Sequence, residues 1–323
     1  MSGIFLGPLK PQDLPEILAQ PVASKVGKAH FVASGSHGLR LLLRSLNLKK
    51  GALVAIPALI CPMVVEGIVA EKLTPLFIDI DPENFFMRCN PEQLKKLKPD
   101  AIILPHLYGI ANPDTELFRD FSTENRIPLI HDAAQSYGLE YKGRSIVEYD
   151  QGGVISFGQG KATTAATGAL VTGVSEAVIE EENLNSIRRF DPASRNLMRV
   201  RMGLKSSPWM ERFRFYGFRA SRIQIKAAIY VMAVFAEQEK KRRENWNFLQ
   251  ENLGPELYGA SPERSSYYKF ILHKVRPWSP PPELAAIPHR QVVKYPASMD
   301  TPIYNDWDGY LYELSTERSL KEW

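Results

Sequence analysis

The sequence predicts an α/β protein with a mainly parallel sheet, followed by a small α+β domain at its C-terminal end. Two patterns carry that reading: short apolar runs alternating with helical patterns between residues 30 and 172, and a shift to proline-rich, loop-like sequence after a long charged helix. The runs His30–Ala33, Leu53–Ile56, Leu76–Asp79, Ala101–Leu104, Pro128–His131, Val154–Phe157 and Ala169–Thr172 have the length and apolar content of buried strands. Helix patterns cover Gly38–Leu46, Pro62–Glu71, Pro91–Lys96 and Asp114–Asn125 between the earlier ones. Strand and helix in alternation give a parallel sheet covered on both faces, and ligands of such sheets bind beyond the carboxyl ends of the strands.

The stretch from Ile187 to Lys226 is different in kind. It carries eleven basic residues against the two acids Asp191 and Glu211. A long helix is expected from Ile223 to about Leu249, followed by a segment rich in proline, from Pro277 to Pro296. The expected division is a large domain over residues 1–235 and a small one over 236–323.

Bulk composition narrows the function classes. In 323 residues, 44% apolar and 24% charged residues are ordinary for a globular chain, and a net charge of +4 does not imply nucleic acid. Two cysteines, Cys61 and Cys89, exclude a disulfide framework and show no metal-ligand spacing. The first ten residues lack a secretory pattern, and the most apolar run, Ala227–Ala236, is too short to span a membrane. A cytoplasmic protein without membrane or nucleic-acid partners and without a metal is the expectation.

Three strand ends carry candidate chemistry. Ser34-Gly-Ser-His-Gly38 is a small-residue turn opening a helix, where free N–H groups and the helix dipole suit a phosphate, although many strand–helix turns look alike. His131-Asp-Ala-Ala-Gln135 places Asp132 either beneath a flat ligand or as a helix N-cap. Ser156-Phe-Gly-Gln-Gly-Lys161 sets a lysine among small residues, where desolvation makes a nucleophilic amine; the ordinary alternative is a solvated loop lysine.

Taken in order, these segments resemble the DegT/DnrJ/EryC1/StrS family of sugar aminotransferases dependent on pyridoxal 5′-phosphate. The family's Ser-Gly-Thr-x-Ala-Leu is similar to Ser34-Gly-Ser-His-Gly-Leu39, and its Val-Phe-Val-Asp-Ile-Asp-Pro to Leu76–Pro82. His106-Leu-Tyr-Gly109, Asp132-Ala-Ala-Gln135, Tyr141-Lys-Gly-Arg144 and the Ser156…Lys161 spacing are present intact. The resemblance covers residues 30–172. It implies the fold type I (aspartate aminotransferase-like) architecture and pyridoxal 5′-phosphate as cofactor.

The resemblance also implies roles. Lys161 would hold the cofactor covalently and then act as general base, and Asp132 would keep the pyridine nitrogen protonated. Gln135 would meet the ring's phenolic side. Gly35, Ser36, His37 and Ser156 would hold the phosphate. The implied reaction moves an amino group from an amino acid such as glutamate to a nucleotide-linked keto sugar, a step of polysaccharide biosynthesis, in a homodimer.

Three positions depart from the family. Cys61 stands where an aromatic residue normally stacks on the ring, Ala165-Ala-Thr-Gly168 replaces a Gly-Glu-Gly-Gly loop, and Arg219 takes the place of an asparagine that reaches the neighbouring subunit's phosphate. Arg219 is therefore a candidate for a substrate diphosphate. The departures also raise a catalytically inactive binding or assembly subunit as the alternative. Retention of Lys161, Asp132 and Gln135 argues for the enzyme, and so does lysine where the family's sugar dehydratases carry histidine.

Overall fold

A computed structural model describes residues 29–82, 84–158, 161–163, 165, 168–186, 220, 222–233, 235–253, 269–274, 289–291 and 310–315. All seven expected strands form, and they lie in one sheet: β1 (His30–Val32), β2 (Leu53–Pro57), β3 (Thr74–Ile78), β4 (Ala101–Pro105), β5 (Leu129–Asp132) and, after a short hairpin of β6 (Glu140–Tyr141) with β7 (Arg144–Ser145), β8 (Gly153–Ser156) and β9 (Ala169–Val171). Their order across the sheet is β1-β9-β8-β5-β4-β2-β3. Strands β2, β3, β4, β5 and β8 pair in parallel. Only β9 is reversed, pairing antiparallel with both β8 and β1. Among the described residues no helix lies between β8 and β9, and a crossover helix is what a parallel return requires.

Helices cover both faces, so each strand is apolar on both sides. Val54 and Ile56 of β2 pack with Leu39, Leu42 and Leu43 of α1 (Gly35–Ser45) and with Val64 and Ile68 of α2 (Pro62–Ala70). The intervening Ala55 packs on the other face with Leu94 of α3 (Pro91–Leu97) and with Phe118 and Phe121 of α4 (Thr115–Asn125). This two-residue alternation is the strand period at work. Pro62 and Pro91 stand in the first turns of α2 and α3, where a missing N–H costs nothing, and Asn90 caps α3 by accepting from the N–H of Gln93 at 3.1 Å.

Helix α1 begins at Gly35, three residues before the expected start. Ser34 is its N-cap, the side chain accepting from the N–H of His37 at 3.2 Å, so the supposed turn is already the first helical turn. A Cβ on Gly38 would stand 3.1 Å from Val154 and 3.3 Å from both Val32 and Val171, which is why the helix can lie so close to the sheet.

Helix α5 (Glu176–Ser186) has no counterpart in the sequence reading. It docks beside α1, its Glu181 and Glu182 meeting Arg44 at 2.5 and 3.3 Å. The expected long helix is covered by α6 (Arg222–Ala233) and α7 (Phe235–Leu253), with residue 234 outside the described residues. A three-stranded antiparallel sheet, β10 (Lys269–Lys274), β11 (His289–Gln291) and β12 (Tyr310–Ser315) in the order β10-β12-β11, supplies strands in the region expected to be loop-rich. No described helix is long and apolar enough to cross a membrane.

Candidate active site

The carboxyl ends of β1, β5 and β8 converge on one edge of the sheet. Gly35 sits against Ser156 so closely that a Cβ there would stand 3.2 Å from the serine's own Cβ and 3.3 Å from its Oγ. The first turn of α1 is thereby seated on the end of β8. Among the described residues nothing accepts from the N–H groups of Gly35 and Ser36, and both stand at the positive end of the helix dipole. Ser156 Oγ accepts from the N–H of Gly158 at 3.2 Å, which leaves its hydroxyl hydrogen to donate elsewhere. Such a cradle of donors suits a phosphate.

His37 behaves differently from its neighbours. Its N–H is used by the Ser34 cap, and its buried ring meets Glu182 Oε1 at 3.3 Å. That contact, with Arg44 adding to it, holds the Glu182 carboxyl below its usual range.

Asp132 is the last residue of β5 and is 9% exposed. No helix follows it, so it is not the N-cap of one; Oδ1 accepts from the N–H of Ala134 at 3.0 Å and tightens the turn. None of the described residues donates to Oδ2. Burial pushes the carboxyl's pKa up, while the Ala134 hydrogen bond and the positive charge of Lys161 pull it down. Lys161 is therefore close enough for its charge to be felt at Asp132. It is half-buried, and its N–H donates to the Gly158 carbonyl at 3.2 Å.

Gln135 completes the group. Its Oε1 accepts from the N–H of Tyr108 at 2.7 Å, so the amide is oriented with Nε2 as donor on the opposite side. Tyr108 can offer that N–H because its backbone lies in the left-handed region, at φ 60°. The motif His106-Leu-Tyr-Gly109 thus holds the Gln135 amide through its Tyr108 N–H.

Helices α6 and α7 brace the site from behind. Gln224 donates to the carbonyl of Ala33 at 3.3 Å, and Phe235 packs edge-on to Tyr137 at 4.6 Å between ring centres. Arg242 is buried and donates to the carbonyl of Ala162, the residue after Lys161. Sequence reasoning missed Gln224, Phe235 and Arg242; only their distance from the strand ends in sequence hid them.

The structure thus seats Gly35 against Ser156 and sets Lys161 within charge range of Asp132, with Ser36 next to Gly35 and Gln135 three residues after Asp132. Cys61 is exposed at the N-terminal end of α2. Arg219, and the basic residues from 188 to 214, lie outside the described residues.

Comparison with known proteins decides the family. A model of the DegT/DnrJ/EryC1/StrS aminotransferase family matches residues 16–271. The chain belongs to this family. The match extends well past the motif-bearing half, into the region where the sequence motifs thin out.

Among relatives, the chain is 28% identical over 265 residues to the L-glutamine:2-deoxy-scyllo-inosose aminotransferase of Streptoalloteichus tenebrarius, covering 78% of this chain and 60% of that one. It is 31% identical over 145 residues to the GDP-perosamine synthase of Escherichia coli O157:H7, covering 44% of this chain and 39% of that one. The chain spans about three fifths of the length of the curated relatives it matches over most of its own. In fold it is similar to the E. coli GDP-4-keto-6-deoxy-D-mannose-3-dehydratase, with a TM-score of 0.71 at 19% identity over 98% of this chain and 90% of that one. The fold type I architecture expected from the sequence is the one observed.

Proposed function

We propose that the chain is a pyridoxal 5′-phosphate-dependent aminotransferase transferring an amino group from an amino acid such as glutamate to a nucleotide-linked keto sugar. The observation that carries this reading is a buried Asp132 carboxylate with an unbonded Oδ2, within reach of the Lys161 charge and on the same sheet edge as the Gly35–Ser156 cradle. A scaffold without chemistry gains nothing from a carboxylate whose charge burial disfavours. The family relation supports the cofactor, and the relatives' named products and substrates support an amino or keto sugar-like compound.

The chemistry of these residues suits the cofactor. The N–H groups of Gly35 and Ser36 and the Ser156 hydroxyl would hold its phosphate, with His37 contributing to the shape of the turn. Asp132 Oδ2 would take the ring N–H, and Gln135 Nε2 would donate to the phenolic oxygen. Lys161 would be the point of covalent attachment. When bound, the cofactor supplies an electron sink for a carbanion. The chain's own work is to keep a negative charge at the ring nitrogen and to move a proton with the Lys161 amine.

The division at residue 235, the homodimer, the cytoplasmic location and a role for Arg219 at a substrate diphosphate belong to the same proposal. Arg suits that contact because its planar fork donates to phosphate oxygens in pairs. The test begins with purified protein and pyridoxal 5′-phosphate. Borohydride reduction should leave the cofactor on Lys161 by peptide mass spectrometry, and Lys161→Ala should take up none covalently. An adduct on another lysine, or on none, refutes the assignment. Cofactor attachment without conversion of any amino donor would favour the binding-subunit alternative, to which the exposed Cys61 thiol in place of a stacking ring gives some support.

A further inference from the structure

Behind the site, on the opposite face of β5 from Asp132, lies a buried chain of polar groups that the proposed chemistry does not use. The N–H of Asn112 meets His106 Nδ1 at 3.1 Å. His106 Nε2 meets His131 Nδ1 at 3.0 Å, and His131 Nε2 meets Asp150 Oδ2 at 2.8 Å. Asp150 Oδ2 also accepts from Arg119 Nε at 2.8 Å.

The backbone donor at one end fixes every proton in the series. Asn112 N–H can only donate, so His106 Nδ1 accepts and its Nε2 carries the hydrogen. His131 Nδ1 then accepts, and its Nε2–H donates to the carboxylate. Both rings are wholly buried, and burial before all else keeps each below the usual histidine pKa, so both are neutral donors and acceptors. Asp150, tied to both His131 and Arg119, is held below the usual carboxylate range in spite of its burial.

His106 is where this chain joins the site. Its N–H donates to the Asp132 carbonyl at 2.9 Å, and its own carbonyl accepts from Ser136 Oγ at 2.6 Å. The turn from Asp132 to Ser136 is therefore held at both ends by one residue whose ring is itself locked. We propose that His106 is a positioning residue that sets the orientation of the Asp132 carboxylate toward the cofactor ring, without touching the cofactor. This rests on the cofactor reading above. His131, one residue before Asp132 and pointing to the other face by strand alternation, serves as the anchor for the His106 ring.

A double-mutant cycle tests it. His106→Gln keeps a donor near the Nε2 position but loses the ring that Asn112 and His131 hold. With cofactor bound, the variant should still give the borohydride adduct on Lys161. It should convert amino donor to pyridoxamine 5′-phosphate about tenfold more slowly and move the pH midpoint of the bound cofactor's visible absorbance. In an Asp132→Asn background the same substitution should change the rate by less than about twofold, because there is no carboxylate left to orient. Equal losses in both backgrounds, or none in either, overturn the proposal.

Should His106→Gln fail to fold, Ser136→Ala, which removes one hydroxyl and no volume of consequence, takes its place. It should give about a threefold loss, again only where Asp132 is intact, and equal losses overturn the proposal as before. A wild-type protein that forms no Lys161 adduct overturns the cofactor reading itself, and this proposal with it. An adduct accompanied by additive losses overturns this proposal alone.

Discussion

Replacing Asp132 by asparagine should make the empty protein more stable and the loaded protein far less active. The sign of the first effect follows from the balance at the carboxyl. Burial raises its pKa, the Ala134 N–H and the Lys161 charge lower it, and the net direction is up. The charged form is thus less favourable in the folded chain than in the unfolded one.

A carboxyl with a raised folded pKa costs stability at neutral pH, and the cost disappears as pH falls through the folded pKa toward the ordinary value. An amide of the same shape removes the charge and keeps an oxygen for Ala134. The gain expected from removing a charge that burial disfavours is on the order of 1 kcal/mol, since the asparagine amide still presents a polar group at the Oδ2 position. For a chain of this size that is roughly a 2 °C rise in the midpoint of thermal unfolding without cofactor.

The second effect is opposite in sign. An asparagine cannot hold a protonated pyridine nitrogen by charge, and losing one preorganised electrostatic partner typically costs about 10²–10³ in rate. Single-turnover absorbance with an amino donor measures it directly. A destabilised Asp132→Asn protein, or one reacting within threefold of wild type, would refute the argument. The first would mean that the charge is not under strain, the second that it does not act on the ring.

Two further outcomes follow from other parts of the structure. Gly138→Ala should destabilise the fold by more than about 2 kcal/mol in urea unfolding: its φ is +85°, and a Cβ would lie 2.3 Å from the Phe235 ring, which packs edge-on to Tyr137. Because His106 and His131 are neutral in the fold, their contribution is fully present above about pH 6.5 and is lost as pH falls below that toward their lower folded values. Wild-type stability should therefore fall between pH 7 and 5, by at most about 1.4 kcal/mol per pH unit for each histidine, and His106→Gln should show a shallower fall.

Much of the scaffold was legible because its signals are local. Each of the seven strands is a short apolar run, and Pro62, Pro91 and Asn90 mark helix starts with residues whose local chemistry is unambiguous. The start of α1 was misread because Ser34 and Gly35 carry the signatures of a turn and of an N-cap alike; only the hydrogen bond from the His37 N–H distinguishes them. The reversal of β9 has no local signature either, since strand direction is written in the connection and not in the residues. Helix α5 was missed because little of its length is apolar: Val178 and Ile179 pack on the core, and the rest is held by Arg44, more than a hundred residues earlier.

The site was legible at its front and hidden at its back for the same reason. Candidate ligand residues are sought just after strands, so Asp132, Gln135, Ser156 and Lys161 could be picked as candidates by position. Residues that hold them are chosen by strand register: Pro105 pairs with Asp132, which sets His106 beside the Asp132–Ser136 turn, and no spacing rule joins His106 to Asp150.

That arrangement also explains why the chain tolerates so unfavourable a group as Asp132. A carboxylate at the end of a buried strand would relieve itself if its backbone could move toward solvent. Here the backbone cannot, because the Asp132 carbonyl is held by His106 N–H and the turn beyond it by Ser136, while Ala134 holds Oδ1. The charge that burial disfavours is then a cost in the empty protein, and a cationic N–H meeting Oδ2 would offset it. A ligand that binds the folded state alone stabilises it by mass action, so relief of that cost at Asp132 would add to the cofactor's affinity. On the proposed reading the neutral histidines behind and the buried carboxylate in front act together: rigidity that costs stability without the cofactor would turn into binding and orientation with it.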